Sequence, residues 1–388
     1  MPYTRNSPYN KHYNRLLVIR NLLKKNCSRV ELSRLTGLTR ASITNIVDFL
    51  IKDGVIKEIG EDINNNVVGR NPISLEIIPT RYDIISIDIT RSNCFIGILN
   101  LGGEIIYSQE ANIKNAKTPG EAVEIISDEI KSNIIPLISN SDILGIGITT
   151  PGPVNTQFGI IGEIIDFDLW KGFNIVKEFK KYFSYEIILE RDANGIALAE
   201  LYYGAGRNYD DFLCIMSYSG IGFGIIKNRQ LYRGKFGLTP ELGHISIDFN
   251  GKPCECGNKG CLYQYYGIKK ILNKVNIDFP EITSWEEIVD RAYLGEKYFI
   301  NTINYYANIF SIAIISAINI AVLDKVILSG FITYKPDLFI NSVKKNIKDS
   351  YLMKDFFDIE LIFTNLTNKG SLIGGATAVI DYAFTKYK

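Results

Sequence analysis

Three cysteines, Cys254, Cys256 and Cys261, fall within eight residues, and His244, one of only two histidines in the chain, precedes them. Three thiolates and one imidazole are the four ligands of a closed tetrahedral zinc site, and Gly257 and Gly260 allow the tight turns that bring the sulfurs together. With no open coordination position, such a Zn2+ is structural and not a Lewis acid. It would fix the loop that carries His244. The same residues also read as buried free cysteines beside an unrelated histidine, but the compact C-x-C-x4-C spacing with interleaved glycines favours the metal. Two acidic stretches accompany the cluster: Pro240-Glu241-Leu242-Gly243-His244, and earlier Glu190-Arg191-Asp192-Ala193-Asn194. A carboxylate at a strand end or loop facing a cleft accepts hydrogen bonds from sugar hydroxyls, and one placed against a hydroxyl can act as general base. Taken singly, each is also an ordinary surface acid or helix cap.

Positioning such groups needs a framework, and from Tyr82 the chain supplies Ile-rich strands alternating with helical stretches. Strands are expected over Ile84 to Ile89, Phe95 to Leu99, Glu104 to Ser108 and Leu144 to Thr149, with a helix over Pro119 to Ile138 and a break at Pro151-Gly152-Pro153. A second series starts near Phe212: Leu213 to Ser217, a turn at Ser219-Gly220-Ile221-Gly222, Phe223 to Ile226, a turn at Lys227-Asn228, then Leu231-Tyr232. Strand, turn, strand, turn, strand thus occurs twice, about 125 residues apart, which points to two related α/β lobes with a ligand cleft between them. Ordinary βαβ repetition is the alternative.

Ahead of the lobes, residues 12 to 53 read as three helices. Tyr13 to Lys25 spaces Leu16, Leu17, Ile19, Arg20 and Leu23 helically; Val30, Leu32 and Leu35 form a short element ending at Gly37; Thr39 caps a third helix with an apolar stripe of Ile43, Ile46, Val47 and Leu50. A helix that stops at Gly and restarts three residues later matches a helix-turn-helix. The outward face of the third helix offers Arg40, Ser42, Thr44, Asn45 and Asp48, and the short polar and basic groups at its start are suited to base edges in a major groove. Val55 to Glu58 and Ile73 to Ile78, joined by a polar stretch with Asn64-Asn65-Asn66 at its tip, read as a wing, with Arg70 able to reach a minor groove. A solvated helical bundle with a hairpin linker is the plainer alternative.

Composition fits this division. The chain has 388 residues, 43 Lys+Arg against 42 Asp+Glu, and 46% hydrophobic residues, enough for two or three folded domains. Its net charge of +1 argues against a nucleic-acid partner until the charge is located. Residues 1 to 40 hold nine basic side chains against the single acid Glu31; residues 1 to 80 hold twelve against seven, leaving a slightly acidic body. The most apolar window, Ile309 to Leu323, is short for a bilayer span and interrupted by Ser311, Ser316 and Asn319, so a buried core helix is expected. Met1 to Arg20 is polar and basic, with no h-region of a signal peptide, so the expected compartment is the cytoplasm, where thiols stay reduced.

Four stretches carry a resemblance: the N-terminal segment with Gly69-Arg70-Asn71-Pro72; Pro151-Gly152-Pro153-Val154; Glu190 to Asn194 followed by Ala197-Leu198-Ala199-Glu200; and the run from Leu231-Tyr232-Arg233-Gly234 through Glu241-Leu242-Gly243-His244 to Cys261. Together they resemble the ROK family (repressors, open reading frames and kinases), and within it the sugar-responsive repressors of the xylose-repressor type, over essentially the whole chain from about residue 12. The resemblance implies an N-terminal winged helix-turn-helix (1–80) and two actin-like, RNase H-like lobes (81–205 and 206–388), with the helix near the C-terminus able to return to the first lobe. It implies that Asp192, Asn194, Glu241 and His244 contact the sugar, that His244 shares the zinc with Cys254, Cys256 and Cys261, and that Asp192 would be the base in a kinase. Asp166, four residues before Trp170, stands about where the family often has a sugar-contacting asparagine.

Two departures bear on activity. Family kinases open the first lobe with Asp-x-Gly-Gly-Thr, whose glycines let backbone approach ATP phosphates; this chain has Asp88-Ile89-Thr90-Arg91-Ser92. Kinases also carry a sugar-binding glutamate two residues after the last cysteine, where this chain has Tyr263. The resemblance therefore implies a non-enzymatic repressor of a sugar-utilisation operon, a homodimer or dimer of dimers on operator DNA, released when a monosaccharide such as xylose closes the lobes. An ATP-dependent sugar kinase is the alternative, and a constitutive DNA-binding protein a third.

Overall fold

The computed structural model describes residues 8–61, 72–138, 141–348, 350–352, 354–366 and 369–386. The chain divides into two compact units: residues 1–203 together with 369–388, and residues 204–368.

The first unit begins with α1 (Pro8–Lys24), β1 (Cys27–Ser28), α2 (Arg29–Thr36), α3 (Arg40–Lys52), β2 (Ile56–Glu61) and β3 (Ile73–Ile77). Helix α2 starts at a capping box, in which the Ser28 hydroxyl takes the Glu31 N–H and Glu31 reaches back to the Ser28 N–H. It stops at Gly37, whose φ of +69° suits glycine. Thr39 caps α3 through the Ser42 N–H, and Ile43, Ile46, Val47 and Leu50 are all buried, the stripe expected from their spacing. On α2, the short element expected to end at Gly37, Leu32 is buried while Val30 and Leu35 are exposed, because a helix of 8 residues turns a single face inward. β1 joins the hairpin to give the antiparallel order β1-β3-β2. The expected wing tip and Arg70 lie outside the described residues.

The main sheet of this unit is built from β4 (Tyr82–Ile89), β5 (Cys94–Asn100), β6 (Ile105–Ala111), β7 (Asp142–Thr150) and, after β8 (Val154–Asn155) and β9 (Ile160–Ile161), β10 (Ile187–Arg191). The helix expected over Pro119 to Ile138 is α4 (Pro119–Glu129) continued by a wider π-type turn and a 3-10 turn around Pro136, which has no N–H to carry the α ladder onward. α5 (Ile175–Phe179) leads to β10, and α6 (Asp192–Tyr202) follows it directly.

The second unit holds β11 (Phe212–Ser217), β12 (Ile221–Lys227), β13 (Gln230–Leu231), α7 (Ile268–Val275), α8 (Trp285–Tyr293), α9 (Lys297–Ala321), β14 (Lys325–Gly330), α10 (Asp337–Ile347) and β15 (Glu360–Phe363). Its sheet runs β13-β12-β11-β14-β15 and that of the first unit β6-β5-β4-β7-β10. Numbered within each unit, both are 3-2-1-4-5, with an antiparallel meander on one side and two parallel strands on the other. The repeat read from turn spacing is thus a duplicated topology. α9 is long and apolar enough to span a bilayer, yet 56% of its apolar window is buried, with Phe299, Ile303, Phe310, Ala313 and Ile314 in the second core.

The last helix, α11 (Gly370–Lys386), belongs to the first unit. It packs on α6 so closely that a Cβ at Gly374 would sit 2.2 Å from the Gly195 carbonyl carbon. Gly374 cannot take a larger residue without separating the helices, and a Cβ at Gly195 would already be tight at 3.3 Å from the Gly374 backbone.

Candidate functional site

In the second unit, a short 3-10 turn at Leu242–His244 presents the histidine, and the cysteine loop folds back beneath it. Ile247 N–H donates to the Gly260 carbonyl at 2.8 Å and Leu262 N–H to the Ile245 carbonyl at 2.9 Å, so the segment before the loop and the segment after it are stitched together. Gly260, at φ +65°, is forced: a Cβ there would lie 1.7 Å from the Asp248 carbonyl oxygen.

This folding gathers the four expected ligands. The donor atoms of His244, Cys254, Cys256 and Cys261 all lie within 4.8 Å of one another. His244 Nδ1 is 3.6 Å from Cys254 Sγ, and Cys256 Sγ is 3.6 Å from Cys261 Sγ. Tetrahedral bonds of ~2.3 Å to sulfur and ~2.0 Å to nitrogen require edges of roughly 3.5 to 3.8 Å, so these two edges already match a tetrahedral metal and the 4.8 Å limit on the rest leaves small adjustments to complete it. Burial pushes the Cys261 thiol up to about 12, assisted by hydrogen bonds with Cys256 and Cys254. For Cys254, burial acts upward but is outweighed by hydrogen bonds from the Cys256 backbone, Gln264 and the neighbouring cysteines, so this thiol is shifted down. Such splitting is what thiols sharing protons at short range show. With Nδ1 committed to the cluster, Nε2 is the ring nitrogen left to another partner.

Tyr263 stacks on the His244 ring at 5.7 Å between centroids, and Lys270 Nζ lies 4.0 Å from the centre of the Tyr263 ring. The position where family kinases offer a carboxylate is therefore an aromatic wall with a cation behind it. The sequence registers the lost glutamate but not the stacking, for which a tyrosine two residues beyond the last ligand is the available sign.

Asp192 and Asn194 lie in the first unit, at the start of α6, whereas Glu241 and His244 lie in the second. Burial pushes the Asp192 carboxyl upward, opposed by the charge of Arg191, the Ala193 N–H at 2.7 Å and the charge of Arg91. Asn194 is buried and its amide donates to Glu190 Oε1 at 2.8 Å, which also accepts the Arg191 N–H at 2.9 Å. Glu190 thus anchors the loop that presents Asp192. Asp88 joins this carboxylate cluster: burial pushes it up to about 7, against a hydrogen bond from Thr149 Oγ1 at 2.9 Å and with the Asp192 charge adding to the shift.

The β4–β5 turn, where the sequence carries Thr90 and Arg91, is closed by its own side chain. Thr90 Oγ1 accepts the Asn93 N–H at 2.9 Å and the Ser92 N–H at 3.3 Å, and donates to the Asn93 carbonyl at 2.9 Å. The Thr90, Ser92 and Asn93 N–H groups are therefore bonded inside the turn. Arg91 Nε donates to the Ile165 carbonyl at 3.0 Å. Thr90, Arg91, Asn93, Asp166 and Trp170 wall a cavity of about 310 Å³, and Asp166 sits at φ +56°, a conformation that Asp tolerates better than most residues.

On α3, Arg40, Thr44 and Asn45 are exposed and Ser42 is half-buried, its hydroxyl 2.9 Å from that of Thr39. The local basic charge is less available than its count implies. Arg15 and Arg20 are only 6% and 4% exposed, and Arg29 pairs with Asp48 at 3.1 Å and Glu58 at 2.5 Å. Arg15 and Arg29 tie elements of the segment to one another, and Arg20 ties it to Asp381 on α11.

The ROK family profile matches residues 84–381. The chain is 27% identical over 375 residues to the xylose repressor of Bacillus subtilis (strain 168), covering 96% of each sequence. It is 24% identical over 316 residues to the glucokinase of Thermotoga maritima, covering 77% of this chain and 98% of the enzyme. Among solved structures, a ROK family transcriptional regulator homologous to the Escherichia coli MLC protein superposes with a TM-score of 0.82 at 25% identity, covering 97% of both chains.

Proposed function

The chain belongs to the ROK family, and from that premise we propose that it is a DNA-binding repressor of a sugar-utilisation operon whose operator affinity falls when a monosaccharide binds. One observation carries this reading: the match to a transcriptional regulator covers 97% of this chain, whereas the match to a glucokinase covers 77%. The family model begins at residue 84, and the segment before it is the one that presents Arg40, Ser42, Thr44 and Asn45.

In this reading α1–α3 with β1–β3 form a winged helix-turn-helix, α3 enters the major groove, and Arg70 contributes from the wing. Asp192, Asn194, Glu241 and His244 are the residues that contact the sugar, an aldopentose such as xylose being the preferred effector. His244, Cys254, Cys256 and Cys261 hold a structural zinc, which supplies rigidity and no chemistry; through Nδ1 it sets the orientation in which His244 offers Nε2. The protein acts in the cytoplasm as a homodimer or a dimer of dimers, with two recognition helices on a palindromic site. To move operator occupancy from 99:1 to 1:99, the sugar must favour the released state by about 5.5 kcal/mol.

Phosphoryl transfer is the second reading, and the observation favouring it is the buried carboxyl of Asp192, shifted upward as a general base requires. Against it stands the Thr90 turn, whose N–H groups are bonded internally. Two assays separate the readings. Selection from a random duplex pool by the full-length protein is expected to enrich one palindrome, and a coupled ADP-release assay with pentoses and hexoses is expected to stay at background. Failure to enrich any sequence, together with sugar-dependent ADP release lost in Asp192→Asn, overturns the repressor reading.

A further inference from the structure

A sugar-responsive repressor needs a physical link from the residues that meet the sugar to the segment that meets DNA. Inside the first unit such a link is visible. Arg20, on α1, is 4% exposed and turned toward α11. Its Nη2 lies 2.5 Å from Asp381 Oδ1, and the Tyr202 hydroxyl donates to that same oxygen at 2.8 Å. The guanidinium carbon stands 4.9 Å from the centre of the Tyr202 ring.

The three residues come from three elements far apart in sequence. Arg20 belongs to the first helix of the N-terminal segment, Asp381 to the last helix of the chain, and Tyr202 is the final residue of α6, whose first residue is Asp192. α6 and α11 meet backbone to backbone at Gly195 and Gly374, which leaves no room for one to slide along the other. The start of α11 is fixed to the sheet where Ser86 Oγ donates to the Leu372 carbonyl at 2.6 Å. A displacement at Asp192 therefore has a short, stiff route to the Arg20 ion pair.

The pair is also selective about geometry. A guanidinium held this far from water loses a charge-assisted partner if Asp381 moves away, so displacement of α1 relative to α11 carries a steep penalty. A contact with so steep a dependence on geometry suits a switch better than a graded apolar interface does.

We propose that Arg20, Tyr202 and Asp381 are positioning residues that couple sugar occupancy at Asp192 to the placement of the DNA-binding segment, with α6 and α11 moving as one piece. The coupling rests on the sugar-responsive repressor reading, and Tyr202 is the member that reports the position of α6.

The test uses the full-length protein, the duplex it selects from a random pool, and D-xylose, with D-glucose and N-acetylglucosamine as further arms. Calorimetry gives the sugar affinity and fluorescence anisotropy gives operator affinity with and without saturating sugar. In Tyr202→Phe, sugar affinity and sugar-free operator affinity are expected to stay within about threefold of wild type, while the sugar-induced loss of operator affinity shrinks at least about fivefold. Because Asp381→Asn leaves a buried guanidinium unpaired and can fail to fold, the paired apolar replacement Arg20→Met with Asp381→Leu serves as the second variant, and it too is expected to bind both ligands without coupling them. Full sugar response in both variants overturns the coupling alone. Operator affinity that falls in step with thermal stability, with the sugar response intact, also overturns it, because that marks a merely structural pair. A wild-type protein whose operator affinity no bound sugar alters overturns the repressor reading and the coupling with it.

Discussion

The two units share one strand order, and their first hairpins have taken opposite courses. In the second unit, the β11–β12 turn keeps Ser219-Gly220, and its backbone is approached so closely that a Cβ at Gly267 would lie 2.6 Å from the Ser219 carbonyl oxygen and one at Gly330 would lie 1.8 Å from that of Ser217. In the first unit, the matching β4–β5 turn carries Thr90 and Arg91, and the threonine hydroxyl takes up the turn's own N–H groups. One copy preserves a glycine-shaped backbone and the other fills it with side chains. A duplicated fold can therefore keep its sheets while the first hairpins of its two halves differ in what fills them. What distinguishes the halves chemically is a metal-ready loop in the second and a buried carboxylate cluster in the first.

The largest expected effect falls on the second unit. Replacing Cys261 with Ser should abolish stoichiometric zinc in the purified protein and lower the stability of this unit by several kcal/mol, because metal binding energy is folding energy at such sites. Metal analysis with thermal unfolding checks both. Full folding with no bound metal in the wild type would break the contrast between the units.

The first unit is next. Asp192→Asn should weaken sugar binding by on the order of 2 kcal/mol, roughly thirtyfold, if the carboxylate accepts sugar hydroxyls. Calorimetry with D-xylose measures it.

Asp88 gives a signature in pH. Its folded value is raised to about 7 from 3.8, so between these values the folded state holds a proton that the unfolded chain has released. Stability from this group is fully present below the unfolded value of 3.8, falls as pH rises toward 7, and is constant above that. Asp88→Asn, which cannot ionise, should flatten thermal stability across roughly pH 4 to 7 and raise it near pH 8, by on the order of 1 to 2 kcal/mol. An unchanged pH profile would place the carboxyl in a wetter site than the structure gives it.

The smallest effects belong to single surface or turn groups. Arg40→Ala should cost about 1 kcal/mol of operator binding, and if the guanidinium meets a phosphate it should reduce the salt slope by roughly one. Thr90→Gly, which frees the turn's N–H groups, should destabilise by about 1 kcal/mol and sharpen the comparison if it also confers measurable nucleotide binding.

Much of this arrangement is legible in the sequence because it is local. The α3 stripe, the capping threonine, the strand series and the four metal donors are each set by spacings of a few residues, and the structure reproduces them. What escapes is long-range or depends on which polar groups are spent internally. Arg20 counts as surface charge in a composition, yet its partner is Asp381. Thr90 reads as an obstacle to phosphate, whereas its effect is to bond the turn's own donors. Glu190, one residue from a strand end, reads as another candidate acid and instead holds Asn194 and the Arg191 backbone in place. The third strand of the N-terminal sheet is two residues long, too short for any alternation to register. The capping box of Ser28 with Glu31 and the caps at Thr118, Asn174 and Ser284 are local devices that composition and stripe reasoning pass over.

The most direct test of the central claim is operator binding by the full-length protein titrated with D-xylose, run beside an ADP-release assay on the same preparation. The account predicts a loss of operator affinity of at least about tenfold at saturating sugar, with no sugar-dependent ADP release. Operator affinity unchanged while calorimetry shows the sugar bound would contradict it.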